Sequence, residues 1–197
     1  MIDYFEEIDR QIVLAINSWH SPLLDEVMWW ISARITWIPL YVFILILAFK
    51  KLSKKHFIFF VLFAVIAVIV TDLVSVHLFK NVFLRYRPSH NLLIVDRLHF
   101  YQIAPGNVYQ GGEYGFISSH AANYFAIATA SFLALKNEYS KLKWLLILVG
   151  ILICYSRIYL GVHYLSDLVV GAVIGSLISC LIYKFWYLPL TSSKSYI

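Results

Sequence analysis

Long apolar runs separated by short polar breaks dominate the chain. Residues 27–49, 57–79, 119–135, 142–155 and 164–183 are nearly continuous stretches of Val, Ile, Leu, Phe and Ala. Runs of this kind predict membrane-spanning helices. Residues 4–19 differ: Ile8, Ile12, Val13, Ala15 and Ile16 alternate with Glu6, Glu7, Asp9, Arg10 and Gln11. That mixed pattern predicts a helix lying in the membrane interface. Ser21-Pro22 ends it, with Ser21 placed to cap the next helix and Pro22 at its first position. The expected architecture is all-α: an integral membrane bundle of five transmembrane helices, or six if residues 4–19 also cross, plus the N-terminal interfacial helix.

The breaks are informative. Lys50, Lys51, Lys54, Lys55 and His56 form one basic loop, and Lys136, Asn137, Glu138, Tyr139, Ser140 and Lys141 form another. Both fall on one side of the expected bundle, together with the tail containing Lys184 and Lys194, and the positive-inside rule makes that side cytoplasmic. Residues 80–117 are the one long polar segment, and a loop of that length in a small domain reads as a functional lid. In span five, Gly171 and Gly175 have the small-xxx-small spacing of close helix packing. Ala121, Ala122, Ala126, Ala128 and Ala130 give span three the same permission.

Composition agrees. Of 197 residues, 61% are hydrophobic and 14% charged, with a mean hydropathy of +0.75. A single membrane domain, residues 1–197, accounts for the length. The net charge of +5 is concentrated in loops beside apolar runs, so it reflects membrane topology and not nucleic-acid binding. Cys154 and Cys180 lie inside apolar runs and read as core residues, with neither disulfide nor metal spacing. Asp3, Glu6, Glu7 and Asp9 stand where a signal peptide would be basic.

Against this background the polar groups inside or beside the runs call for a reason. Arg34 in the first run either snorkels to the interface or pairs with Asp72 of the second. His77 reads as structural. The others converge. Lys80, Arg85, Arg87, Ser118, Ser119, His120, Arg157, His163 and Asp167 come from four chain segments, yet all map to the face opposite the Lys-rich loops, the extracytoplasmic one. Taken singly, Lys80 could snorkel, Arg87-Pro88 could be a plain loop and His120 a cap.

Together they make a phosphate site. Lys80 and Arg87, seven apart, reach one point if the helix continues, and Arg157 adds a third cation to clamp phosphate oxygens. Ser118 and Ser119 open a helix whose N–H groups and dipole favour an anion. His163 and Asp167 are four apart, so the carboxylate can fix the imidazole for attack on phosphorus. His120 can protonate the leaving oxygen and then activate water. No carboxylate cluster suggests a divalent metal, so neither metal nor cofactor is expected. Arg85 is a candidate for a further phosphate contact.

The three motifs, Lys80-x6-Arg87-Pro88, Ser118-Ser119-His120 and Ser156-Arg157-x5-His163-x3-Asp167, resemble those of the type-2 phosphatidic acid phosphatases, which share their active site with vanadium haloperoxidases. The resemblance covers about residues 57–185. It implies metal-independent dephosphorylation through a phosphohistidine. On it, His163 is the nucleophile, Asp167 its orienting carboxylate and His120 the general acid, with Lys80, Arg87, Ser118 and Arg157 on the phosphate. Ile117 and Ser119 stand where the family usually has Pro and Gly. Expected substrates are lipid phosphates or diphosphates: undecaprenyl diphosphate, phosphatidylglycerol phosphate, phosphatidic acid or a lipid A phosphate. Residues 89–117, with His90, Arg97, His99 and Tyr101, would choose among them. A non-catalytic lipid-binding or lipid-transport protein on the same scaffold is the rival reading. The expected partners are the lipid substrate and the bilayer.

Overall fold

The computed structural model describes residues 2–192; the end of the tail, with Lys194, lies outside the described residues. Seven helices carry the fold: α1 (Ile2–Asn17), α2 (Pro22–Ser32), α3 (Ile38–Lys51), α4 (Lys54–Phe83), α5 (Ser119–Leu135), α6 (Leu142–Tyr159) and α7 (Leu165–Thr191). Three of them, α4, α6 and α7, are long and apolar enough to cross a membrane, and α2 with residues 34–51 makes a fourth if the bent pair counts as one span.

Two expectations about spans change. The single first span becomes two helices meeting at 65°. Ala33 leaves helical geometry there (φ −73°, ψ 131°). Thr36 Oγ1 donates to Trp30 O at 2.6 Å and Trp37 Nε1 to Ile31 O at 2.8 Å, so side chains take the freed carbonyls. A broken apolar helix is tolerated where its backbone groups are re-satisfied in this way. The third expected span, α5, has only 17 residues and sits at the centre of the bundle, against α4, α6 and α7.

Glycine and alanine explain the tightest contact. A Cβ at Gly175 would lie 2.0 Å from Ala122 O, and one at Gly171 would lie 2.8 Å from Ser118 O. Only hydrogen fits at either point, so α5 and α7 pack backbone to backbone. Ile44, Phe60, Phe63, Tyr124, Leu135, Val149 and Tyr187 fill the core toward one end. Outward, Val169, Val173, Leu177 and Leu181 expose a continuous apolar stripe, as lipid contact requires. Cys180 also faces outward and Cys154 is half-buried, so neither is a fully buried core residue as expected.

At one end Lys51 meets Glu138 at 3.8 Å, joining the two basic loops as anticipated. At the other end α1 packs on α6 and α7. Its Asp9, Val13 and Asn17 are buried on one stripe, spaced four residues apart as on one helix face. The long loop is not wholly irregular: it holds a two-stranded antiparallel hairpin, β1 (Gln102–Ala104) with β2 (Asn107–Val108). Asp72 accepts from Asn123 Nδ2 at 2.9 Å and makes no ion pair with Arg34. His77 is exposed.

Candidate active site

The long loop delivers its arginines through backbone pairing. Helix α4 contains a π-helical stretch, Ser75–Lys80, and ends at Leu84 in the left-handed region (φ 46°). Arg87 therefore does not continue the helix of Lys80, and the seven-residue spacing is not what brings the two together. Arg87 N donates to Glu113 O at 3.0 Å and Gly115 N to Arg85 O at 2.9 Å, so the loop's return strand fixes Arg85 and Arg87.

The Arg87 side chain runs inward across Gly115, where a Cβ would come within 2.9 Å of Arg87 Cγ. Its Nε donates to Tyr114 O at 3.2 Å and its Nη1 to Val162 O at 3.1 Å. Nη1 also lies 2.8 Å from His163 Nε2. A guanidinium only donates, so Nε2 is the acceptor and the imidazole proton sits on Nδ1. Nδ1 faces Asp167 Oδ2 at 3.3 Å. His163 is fully enclosed, at 1% exposure. Burial, followed by the charges of Arg87 and Arg157, holds its pKa well below the usual imidazole range. Burial and Arg157 likewise push Arg87 down to about 10.

His163 precedes α7, so the His163–Asp167 contact is not made across a continuous helix face. Asp167 occupies the first turn, accepts Tyr164 N at 3.0 Å and reaches back to the imidazole with the same oxygen. Its other oxygen accepts Arg85 Nη1 at 2.9 Å. Arg85 Nη2 reaches Asp9 Oδ2 at 2.9 Å, and the guanidinium stacks on Tyr164 at 4.3 Å. Asp9 also accepts Ser166 N at 3.1 Å and the Ser166 hydroxyl. The expected phosphate contact for Arg85 is thus corrected: both its ends are committed to carboxylates.

Arg157, at the end of α6, donates to the Ser32 hydroxyl and, through Nη2, to Tyr109 Oη at 3.0 Å. Its Nε is buried with no hydrogen-bond partner among the described residues. Lys80 Nζ donates to Ser119 Oγ at 2.6 Å. Ser119 Oγ lies 2.7 Å from Ser75 Oγ, and Ser75 donates to Asp72 O at 2.9 Å. The Ser119 hydroxyl proton therefore goes to Ser75, so in this arrangement Ser119 holds Lys80 and its hydroxyl has no proton left for phosphate. Ser118 caps α5 weakly, its Oγ accepting from Ala121 N at 3.5 Å, and its own N–H donates to Asp167 O at 3.0 Å. The N–H groups of Ser119 and His120, in the first helical turn, are among those a helix leaves unpaired. His120 is half-buried and lines a cavity of about 200 Å³ with Ser32, Arg34, Trp37, Ser119 and Asn123.

All eight residues expected at the site come to the same end of the bundle. The pattern did not flag Asp9, Ser32, Tyr109 or Gly115, which hold them there. Asp9 had a signal: it shares the buried face of Val13 and Asn17 in an otherwise amphipathic helix. Among the described residues, no three His, Cys, Asp or Glu side chains group as metal ligands.

The PAP2 superfamily model matches residues 57–189. The chain is 34% identical over 185 residues to a lipid A 4'-phosphatase of Porphyromonas gingivalis, covering 94% of this chain and 75% of that one. It is 31% identical over 176 residues to a lipid A 4'-phosphatase of Bacteroides thetaiotaomicron, covering 89% and 75%. Its fold matches a transmembrane PAP2 type phosphatidylglycerolphosphate phosphatase from Bacillus subtilis with a TM-score of 0.67 at 23% identity, over 92% of this chain and 86% of that one. Fold, site and relatives together define a multi-pass membrane phosphatase of lipid phosphates. The chain belongs to the PAP2 superfamily, the family of type-2 phosphatidic acid phosphatases.

Proposed function

We propose that the protein removes the phosphate of a lipid A-type glycolipid at the extracytoplasmic face of the cytoplasmic membrane, by way of a phosphohistidine. One observation carries the mechanism: His163 Nε2 presents a lone pair, marked by the Arg87 contact at 2.8 Å, while Asp167 takes the Nδ1 side. Nε2 attacks phosphorus as Arg87 moves its hydrogen bond onto a phosphate oxygen. Asp167 stabilises the imidazolium that forms. Lys80, Arg157 and the first-turn N–H groups of α5 hold the other oxygens, where transition-state charge collects. The P–O bond to the lipid breaks, and His120 gives its proton to the leaving oxygen. His120 then takes a proton from water, which attacks phosphorus and breaks the N–P bond, releasing inorganic phosphate and free His163. The cations are side chains, so no metal is needed.

The two lipid A 4'-phosphatase relatives support the substrate class. In the membrane, the bent α2–α3 pair, α4, α5, α6 and α7 make five spans, with α1 in the interface. The Lys51–Glu138 end is cytoplasmic, so a cysteine placed in residues 50–56 should resist an impermeant reagent added outside.

Phosphate release by the purified protein in chelator tests the reading. Bisphosphorylated lipid A, phosphatidylglycerol phosphate, phosphatidic acid and undecaprenyl diphosphate are compared side by side. Lipid A should be fastest, losing its 4'-phosphate, and His163→Ala should release none. Another substrate leading replaces the lipid A assignment; full activity in His163→Ala removes the mechanism.

A further inference from the structure

Arg34 lines the cavity of His120, and the mechanism leaves it unused. It is exposed, sits within an apolar run and forms no ion pair among the described residues. A charge there is costly without a reason, and the expected partner, Asp72, is bonded elsewhere. The helix break supplies the placement. The interruption at Ala33 sends Ser32 to Arg157 and starts a 3-10 turn with Arg34, and the side chains of Thr36 and Trp37 hold the break in shape. Ser32 and Arg34 therefore share a wall of the cavity that His120 enters.

That cavity has two poles. Ser32 touches Arg157, whose unpaired Nε marks the side of the scissile phosphate. Arg34 is the cation on the lining itself, separate from Arg157, which lies behind Ser32 and does not line the cavity. His120, as the proton donor to the leaving oxygen, lies where the departing half of the substrate must be. Resting on the phosphatase reading above, we infer that Arg34 is a second anion subsite, which binds a phosphate carried by the leaving half of the lipid. The chemistry is a bidentate guanidinium–phosphate contact. The second phosphate is either the other half of a lipid diphosphate or a separate phosphate on the same glycolipid.

Matched pairs separate these sources. Farnesyl diphosphate is compared with farnesyl monophosphate, and bisphosphorylated lipid A with lipid A bearing only the 4'-phosphate. Arg34→Gln should lower kcat/KM about ten-fold or more on the doubly phosphorylated member of one pair and less than about two-fold on its partner. Arg34→Lys should recover part of the loss. The responding pair identifies the source. Equal losses within both pairs, or no loss in either, overturn the subsite, because an arginine merely snorkelling to the interface would give one of those results.

A binding measurement stands apart from turnover. In His163→Ala, inorganic pyrophosphate should raise the thermal midpoint more than inorganic phosphate does, and adding Arg34→Gln should erase the difference. That result with no hydrolysis of any lipid would keep the subsite while removing the phosphatase reading. Hydrolysis with no pyrophosphate preference and no response in either matched pair would do the reverse.

Discussion

Arg87 Nη1 donates to His163 Nε2 across 2.8 Å, so the cation proposed to hold phosphate also guards the atom proposed to attack it. Two consequences follow from one contact. The lone pair is kept free of a proton, and the guanidinium needs only a small shift to exchange nitrogen for a phosphate oxygen.

The pH profile should record the first consequence. Burial and the neighbouring arginines lower the His163 pKa, so the imidazole stays neutral as pH falls through its usual value of about 6.5. The reactive form is the neutral one, so the acid limb of kcat/KM set by His163 lies well below that value. Arg87→Gln removes one of the charges that lower it, and the limb should move to higher pH. The same change should cut kcat/KM by about 10²–10³, as loss of a transition-state donor does. The substrate phosphate titrates near pH 6 or so in both enzymes, so the difference between their profiles belongs to the protein. An unshifted limb would show that Arg87 does not act on His163.

Gly115 should behave as a spacer. A Cβ there meets Arg87 Cγ at 2.9 Å, Asp167 Oδ2 at 3.2 Å and His163 Nδ1 at 3.6 Å. Gly115→Ala should therefore displace the nucleophile's supports and lower kcat by about 10²-fold, with the thermal midpoint little changed. Gly112→Ala, on the same return strand with nothing within 4 Å of the added carbon, should leave kcat as it is. Phosphate release and melting of the two variants in one detergent make the comparison.

Periodicity showed which runs were apolar, a local property of the chain, and the alternation of runs and loops showed which polar groups come to one end of the bundle. Helix breaks were less legible. Nothing in Ile31-Ser32-Ala33-Arg34 resembles a Pro or Gly stop, and the 65° bend rests on side-chain bonds from Thr36 and Trp37. The His163–Asp167 pair was found for a partly wrong reason. The two meet because a turn folds back on a first-turn carboxylate, not because they share a helix face. Arg85 was misassigned because its partner Asp9 is 76 residues away, and no local pattern encodes such a pairing.

That pairing carries the last prediction. Asp167 is fully buried, and a buried carboxylate stays ionised only with charged partners. Arg85 supplies one directly, and Asp9 of α1 holds the other arm of the same guanidinium while gripping Ser166 beside Asp167. Helix α1 is thereby tied to the carboxylate proposed to orient the nucleophile. Arg85→Gln should lower kcat by about 10²-fold with little change in KM, since Arg85 positions Asp167 and does not touch phosphate. The pH profile of kcat should shift with it, because the His163–Asp167 contact that Arg85 holds in place is loosened. Arg85→Lys should restore part of kcat, as an ammonium can serve one carboxylate but not bridge two. Asp9→Asn keeps the shape of the anchor and removes its charge, so its loss in kcat should be smaller than that of Arg85→Gln. If α1 were only a structural brace, both variants would lower the thermal midpoint and leave the kcat of the folded fraction and its pH profile where they were.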